Sequence, residues 1–324
     1  MPRWLKRYGD ILLVFGAVGL LRLALPVPFV IHAVIFAIYT MAFSFLIGRL
    51  GLVSFGQPVY LSIGAYGTGI YLARFGTNPY AGLFVGVVVG ILFSLLIGSL
   101  LLRLTGDYFA LANLALCAVG FFFFQKALVS VTNGDTGLWY LARMSSTPIL
   151  NLRQPNNVFV LALILAVLVW LLMKYIDSSV YGAACLAVKG NETKLQLLGY
   201  DTFGVKWLAF VLANATAALA GALYAIYFGF VSPASMELVR APEVIVAALL
   251  GGAGTLYGPL LGAFLYIAMQ DLVSTHVLYW ELFVGIMVVL IMMGDEKGIT
   301  TWLKPIFRSG WQLVSRRPKI TRTP

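Results

Sequence analysis

Residues 78–102 read NPYAGLFVGVVVGILFSLLIGSLLL, without a single charge. As an α-helix rising ~1.5 Å per residue, this stretch is about 37 Å long, more than the ~30 Å hydrocarbon core of a bilayer. The bias extends over the whole chain. Hydrophobic residues make up 61% of the 324 residues and charged residues 10%, against ~45–50% and ~25% in soluble domains. Too little polar surface remains to cover a soluble core. The same figures exclude disorder, collagen, a coiled coil and a small disulfide scaffold. Outer-membrane barrel strands alternate apolar and polar residues and are far less hydrophobic. The fold class is therefore an all-α polytopic membrane protein.

Further charge-poor runs flank this one, at 11–26, 23–48, 50–73, 108–125, 158–173, 207–236, 244–270 and 272–294. Polar segments separate them at 126–157 and 174–206, and a basic tail occupies 295–324. The first run follows Met-Pro-Arg-Trp-Leu-Lys-Arg and is interrupted by Arg22; it reads as a retained helix, with Arg22 snorkelling to the interface. Net charge is +10, and the basic residues stand at the ends of apolar runs, as positive-inside topology requires. With the N-terminus inside, Arg49, Arg103, Lys174, Lys189, Lys194 and Lys206 fall inside, and Arg74, Lys126, Arg143, Arg153 and Arg240 outside. Simple crossing of every run then leaves the basic tail on the wrong side. The run pair 207–270 carries the remedy: Gly229-Phe230-Val231-Ser232-Pro233 and Gly251 to Pro259 are rich in glycine and proline. Backbone freed there is tolerated only inside protein or beside a water-filled path. Broken or re-entrant helices are expected, with about eight to ten crossings in all.

Several chemistries are missing. There is no G-x-x-x-x-G-K-[ST] phosphate loop, no Ser-His-Asp or Cys-His set and no metal-ligand spacing. His32 and His276 are isolated, and Cys117 and Cys185 are not placed to pair. No carboxylate falls in the middle of an expected span, which speaks against a proton-coupled carrier. The chain itself is expected to hold no cofactor or metal and to catalyse no reaction.

Four segments are more specific: Gly51-Leu52-Val53-Ser54-Phe55-Gly56-Gln57-Pro58 with Gly64-Ala65-Tyr66; Gly106-Asp107-Tyr108-Phe109-Ala110 followed by Thr132 to Leu138; Ala187 to Glu192 with Gly199; and Gly251-Gly252-Ala253-Gly254-Thr255 with Gly258-Pro259. In this order, over residues 20–295, they resemble the permease subunits of branched-chain amino acid ABC importers, the LivM-like type. The resemblance implies a type II-like importer permease, a single transmembrane domain over 1–324 in a bacterial-type inner membrane, both termini cytoplasmic. It also implies partners: a second, LivH-like permease, two cytosolic ATP-binding subunits and a soluble substrate-binding protein. A self-sufficient carrier or channel for a small neutral solute, such as urea or an amide, is the alternative.

The segment 174–206 reads as a cytosolic loop. Gly190 or Asn191 can cap a short helix, Glu192 suits its positive first turn, Leu195 and Leu198 fall on one face, and Gly199 can end it in a left-handed turn. Such a helix suits a groove on an ATPase, and the resemblance places the family's coupling loop here, at Lys189, Asn191, Glu192, Lys194, Leu195 and Gly199. Within the spans, Ser54, Gln57, Tyr60, Tyr66, Tyr108, Asn113, Asn214 and Thr255 either bond helices together or line a path for a zwitterionic solute. Gly51, Gly56, Gly64, Gly252, Gly254 and Gly258 permit close approach or unwinding.

Overall fold

The computed structural model describes residues 25–146 and 151–274, together with 19, 22, 282–287 and 289. Most of the expected first span, most of the last one and the basic tail lie outside the described residues.

Nine helices carry the described fold: α1 Val27–Phe45, α2 Gln57–Ile70, α3 Pro79–Leu101, α4 Asp107–Phe122, α5 Pro155–Asp177, α6 Val180–Leu197, α7 Thr202–Phe228, α8 Ala241–Gly251 and α9 Gly258–Ser274. Wider π turns extend α1 through Leu46–Leu50, α2 through Tyr71–Phe75 and α4 through Phe123–Ala127. Proline in the first turn starts α1, α2, α3, α5 and α8, where its missing N–H costs nothing. Asn78 caps α3 by accepting from the Tyr80 amide at 3.0 Å. Two-residue strands β1 Leu138–Trp139 and β2 Phe230–Val231 pair antiparallel, Leu138 opposite Val231. Five helices are long and apolar enough to cross a bilayer: α1 and α4 with their π turns, α3, α5 and α7.

Helix α1 is apolar on every side, and all its residues from Val30 to Phe45 except His32 are buried. A helix of that kind belongs at the centre of a bundle. Around it pack α5, α7, α8 and α9. Helices α2, α3 and α7 form the second dense contact. On α3 only one stripe is buried: Gly82, Gly86, Gly90, Ser94 and Gly98, with Pro79 at its head. Spacing by four puts these small residues on one face, and the backbones close up, since lipid offers no hydrophobic drive between helices. A β-carbon added at Gly90 would strike Ala218 of α7, and one at Gly64 of α2 would strike the Ala218 carbonyl. The opposite faces of α3 and α4 expose Phe84, Leu92, Leu96, Leu111, Val119 and Phe122.

Two expectations are corrected. The run 50–73 is not one helix: residues 51–56 are not helical, Gly51 adopts φ +71°, and α2 begins at Gln57. A charge-free sequence does not reveal where within it a helix starts. The segment 174–206 is mostly helix rather than loop, because α6 occupies 180–197 and α7 already starts at Thr202. The break expected within 244–270 is present, and that run is two helices, α8 and α9. Gly251 at the end of α8 meets Gly258 and Gly262 of α9 with no room for a β-carbon, while the other ends of both helices, at Glu243 and at Ile267, border one cavity. The pair is a hairpin. Gly229 (φ +63°) ends α7 at the other expected break.

Candidate translocation and coupling sites

At the end of the bundle where Arg49, Asp177, Lys189 and Lys206 gather, α6 is broken. Asn191 has φ −165° and ψ 99°, and its Oδ1 accepts from the Lys194 amide at 2.9 Å. This is an N-cap: the side chain meets an amide that the helix start leaves unpaired. The short helix that follows ends at Gly199 (φ +85°), where the Tyr200 amide reaches back to the Leu195 carbonyl at 3.3 Å.

Both charged residues beside the break hold other helices. Lys189 Nζ donates to the carbonyls of Ile47 and Gly48 at 3.2 and 3.1 Å, acceptors left over at the negative end of α1. Glu192 forms an ion pair with Lys206 of α7, whose side chain is 8% exposed, and accepts from the Thr202 hydroxyl at 3.2 Å. Gln196 donates to the same Thr202 oxygen at 2.9 Å. Arg49 and Asp177 form an ion pair that ties α1 to α5. The expectation that Leu195 and Leu198 share an outer face is corrected: Leu195 is buried, whereas Leu197, Leu198 and Tyr200 are exposed. Leu198 stands just past the last helical residue, Leu197, with ψ 2°, and does not continue the face that Leu195 presents to the bundle. Cys185, in the first half of α6, is buried and unlinked. Burial pushes its thiol above the ordinary range, so it stays protonated and unreactive.

The polar residues expected in the spans fall into three places. Ser54, Gln57, Asn113 and Asn214 meet in the core between α2, α4 and α7, all fully buried. Ser54 Oγ donates to Asn113 Oδ1 at 3.2 Å, Gln57 Nε2 to Asn214 Oδ1 at 3.1 Å, and Asn113 Nδ2 to the Phe109 carbonyl at 2.9 Å. A β-carbon at Gly56 would lie 2.7 Å from Asn113 Oδ1, which explains a glycine in that loop. Tyr60 packs edge-on against Phe210, and Tyr66 lies 4.6 Å from Phe124 between ring centres. Gln57 Oε1, Asn214 Nδ2 and the Tyr60 and Tyr66 hydroxyls have no hydrogen-bond partner among the described residues. Thr255 sits elsewhere, between α8 and α9, donating to the Gly252 carbonyl and accepting from the Gly258 amide, each at 3.0 Å. It holds the hairpin turn near Gly252, Gly254 and Gly258. Tyr108 is 73% exposed on the outer side of α4, away from all the others.

The cavity lies at the opposite end of the bundle and has a volume of about 120 Å³. It is walled by α1, the start of α2, the end of α7, β2 and the ends of the α8–α9 hairpin. Its polar residues include His32, Tyr39, Tyr224, Ser235, Arg240 and Glu243, none of which the sequence reading singled out as lining a path. Arg240 Nη1 and Glu243 Oε1 are 3.2 Å apart, and Ser235 accepts from the Ser62 hydroxyl at 2.7 Å. A signal was present: Arg240-Ala241-Pro242-Glu243 places opposite charges and a helix-starting proline beside a glycine break.

Residues 25–292 match the family described as branched-chain amino acid transport system, permease component. The high-affinity branched-chain amino acid transport system permease protein LivM of Escherichia coli (strain K12) is 25% identical over 323 residues, covering 89% of this chain and 75% of LivM. The autoinducer 2 import system permease protein LsrC of Yersinia pseudotuberculosis serotype O:3 is 28% identical over 74% of this chain and 69% of its own length. The nucleoside ABC transporter permease protein NupC of Lactococcus lactis subsp. cremoris is 24% identical over 55% and 59% respectively. No solved structure matches the chain.

Proposed function

The chain belongs to the branched-chain amino acid transport permease family, an ABC-transporter family of non-catalytic transport subunits, and on that premise we propose that it forms half of the translocation path of an importer for branched-chain or related amino acids. The second half is a homologous, LivH-like permease. Two cytosolic ATPases supply the energy, and a soluble binding protein delivers the substrate. The basic end faces the cytoplasm, the cavity faces outward, and counting the hairpin as two passes gives ten crossings with both termini cytoplasmic.

One observation carries the reading. The two charged residues beside the break in α6 grip the ends of α1 and α7, and the far ends of those same helices wall the cavity. An ATPase seated on the exposed face at Lys194, Leu197, Leu198 and Tyr200 has, through Lys189 and Glu192, a hold on both helices. Movement of that seat tilts α1 and α7 together and opens or closes the cavity, which is alternating access driven from outside the chain. The polar layer at Ser54, Gln57, Asn113 and Asn214 holds helices together in the closed arrangement; Tyr60 and Tyr66 extend it along α2. Cargo differs between relatives, since LsrC is named for autoinducer 2 and NupC for nucleosides, and the LivM match, the longest of the three, favours branched-chain amino acids here.

The test is purification of the tagged chain from its membrane in mild detergent, with subunits identified by mass. Co-purifying ATPases and a second permease support the reading. A homo-oligomer that moves urea or an amide in liposomes without ATP overturns it in favour of a self-sufficient carrier.

A further inference from the structure

The cavity deepens the reading above and rests on it. Its volume of about 120 Å³ is close to the ~150 Å³ that admits benzene in an engineered apolar cavity. Ile35, Leu61, Val231 and Ile267 contribute to an apolar wall. That space takes a branched side chain of three or four carbons.

Two further features call for more than an apolar guest. Tyr39 lines the cavity and is 4% exposed, yet its hydroxyl has no hydrogen-bond partner among the described residues. A buried hydroxyl in that state is unfavourable until a polar atom arrives. Arg240 and Glu243 line the same cavity with opposite charges, their side chains 51% and 23% exposed, so the pair stands where the cavity meets solvent. A guest bearing one carboxylate and one ammonium close together can pair with each by a charge-assisted hydrogen bond; a neutral amide or urea can reach both only through weaker hydrogen bonds that carry no opposing charge, and a simple anion can pair with Arg240 alone. We infer that this cavity is a transit subsite for an aliphatic α-amino acid, its carboxylate on Arg240, its ammonium on Glu243, its head group also met by the Tyr39 hydroxyl, and its side chain against Ile35, Leu61 and Ile267.

The subsite belongs to this chain alone, so it filters cargo after the binding protein has released it. Its test uses the complete importer in liposomes with saturating leucine-loaded or valine-loaded binding protein, reading the maximal uptake rate and ATP hydrolysis side by side. Arg240→Gln and Glu243→Gln are expected to lower maximal leucine uptake about tenfold or more, and Tyr39→Phe severalfold, the size of a lost charge-assisted or neutral hydrogen bond. Binding-protein-stimulated ATP hydrolysis is expected to persist. Ile267→Trp, which fills the cavity, is expected to favour valine over leucine. Wild-type leucine rates in all four variants overturn the proposal, as does parallel loss of uptake and ATP hydrolysis in Tyr39→Phe, a change of one oxygen atom. Failure of the unmodified importer to take up any aliphatic amino acid is a different result: it overturns the assignment of cargo on which the subsite rests.

Discussion

At the basic end, Lys189, Glu192 and Lys206 bind across helices, and Arg49 binds Asp177 of another helix. At the opposite end, Arg240 binds Glu243, three residues along the same segment, beside a cavity. Five charges act between helices at the first end and two within one segment at the second, and the mechanical effect is opposite. Pairs between helices fix the ends of α1, α5, α6 and α7 relative to one another. A pair within one segment fixes nothing between helices, so the cavity walls can part without breaking it. On the proposed mechanism, one end receives the push and the other yields to it.

The comparison breaks first at Glu192. Glu192→Ala leaves Lys206 buried without a counter-charge, which costs about 3 kcal/mol or more. The thermal unfolding midpoint of the purified complex is expected to fall clearly, and the exchange Glu192→Lys with Lys206→Glu is expected to restore part of it. An unchanged midpoint in the single variant would mean that the pair does not clamp α6 to α7. Lys189→Met comes next. It removes two hydrogen bonds from the end of α1, worth roughly 1–2 kcal/mol together, and hydrogen exchange at the end of α1 should quicken while that of α5 does not. Arg240→Gln, in the partly exposed pair, is expected to shift the midpoint by under ~1 kcal/mol equivalent; a loss as large as that of Glu192→Ala would erase the distinction between the ends. The smallest effect belongs to Leu198→Ser. Leu198 is 74% exposed, so stability should move by less than ~0.5 kcal/mol, but retention of the ATPases during purification should drop.

Much of the bundle is legible in the sequence because lipid imposes a length and forbids charge. Helices α3, α4 and α5 lie close to the runs that announce them, and the glycine breaks at 229 and 251–259 separate helices as the backbone argument requires. What escaped was whatever depends on rotation about a helix axis or on neighbours distant in sequence. Tyr108 and Asn113 sit in one apolar run, yet one faces out and the other is sealed against Ser54. Leu195 and Leu198 are three apart on paper, but the helix ends at Leu197 and Leu198 is already its capping residue, so the second does not share the burial of the first. The cavity is assembled from α1, α2, α7, α8 and α9, and its residues are unremarkable singly: an isolated histidine, two tyrosines, a serine. The capping of the short helix by Asn191 was visible because it is local; the hold of Lys189 on α1 was not, because 141 residues separate Lys189 from Gly48.

The turn of the α8–α9 hairpin has a consequence for the order in which the molecule is made. Between Gly251 and Gly258 the backbone is not helical, and the Ala253 carbonyl is met by the Ser44 hydroxyl of α1 at 2.7 Å, while Ala253 itself crowds Gly48. Helix α8 has only eleven residues, about half of what a bilayer needs. Without α1 the Ala253 carbonyl loses the Ser44 hydroxyl that answers it, and a polar group left unpaired is costly. The hairpin therefore has to wait for α1. A chain stopped before residue 241 would leave the central helix uncovered on the side where α8 and α9 pack.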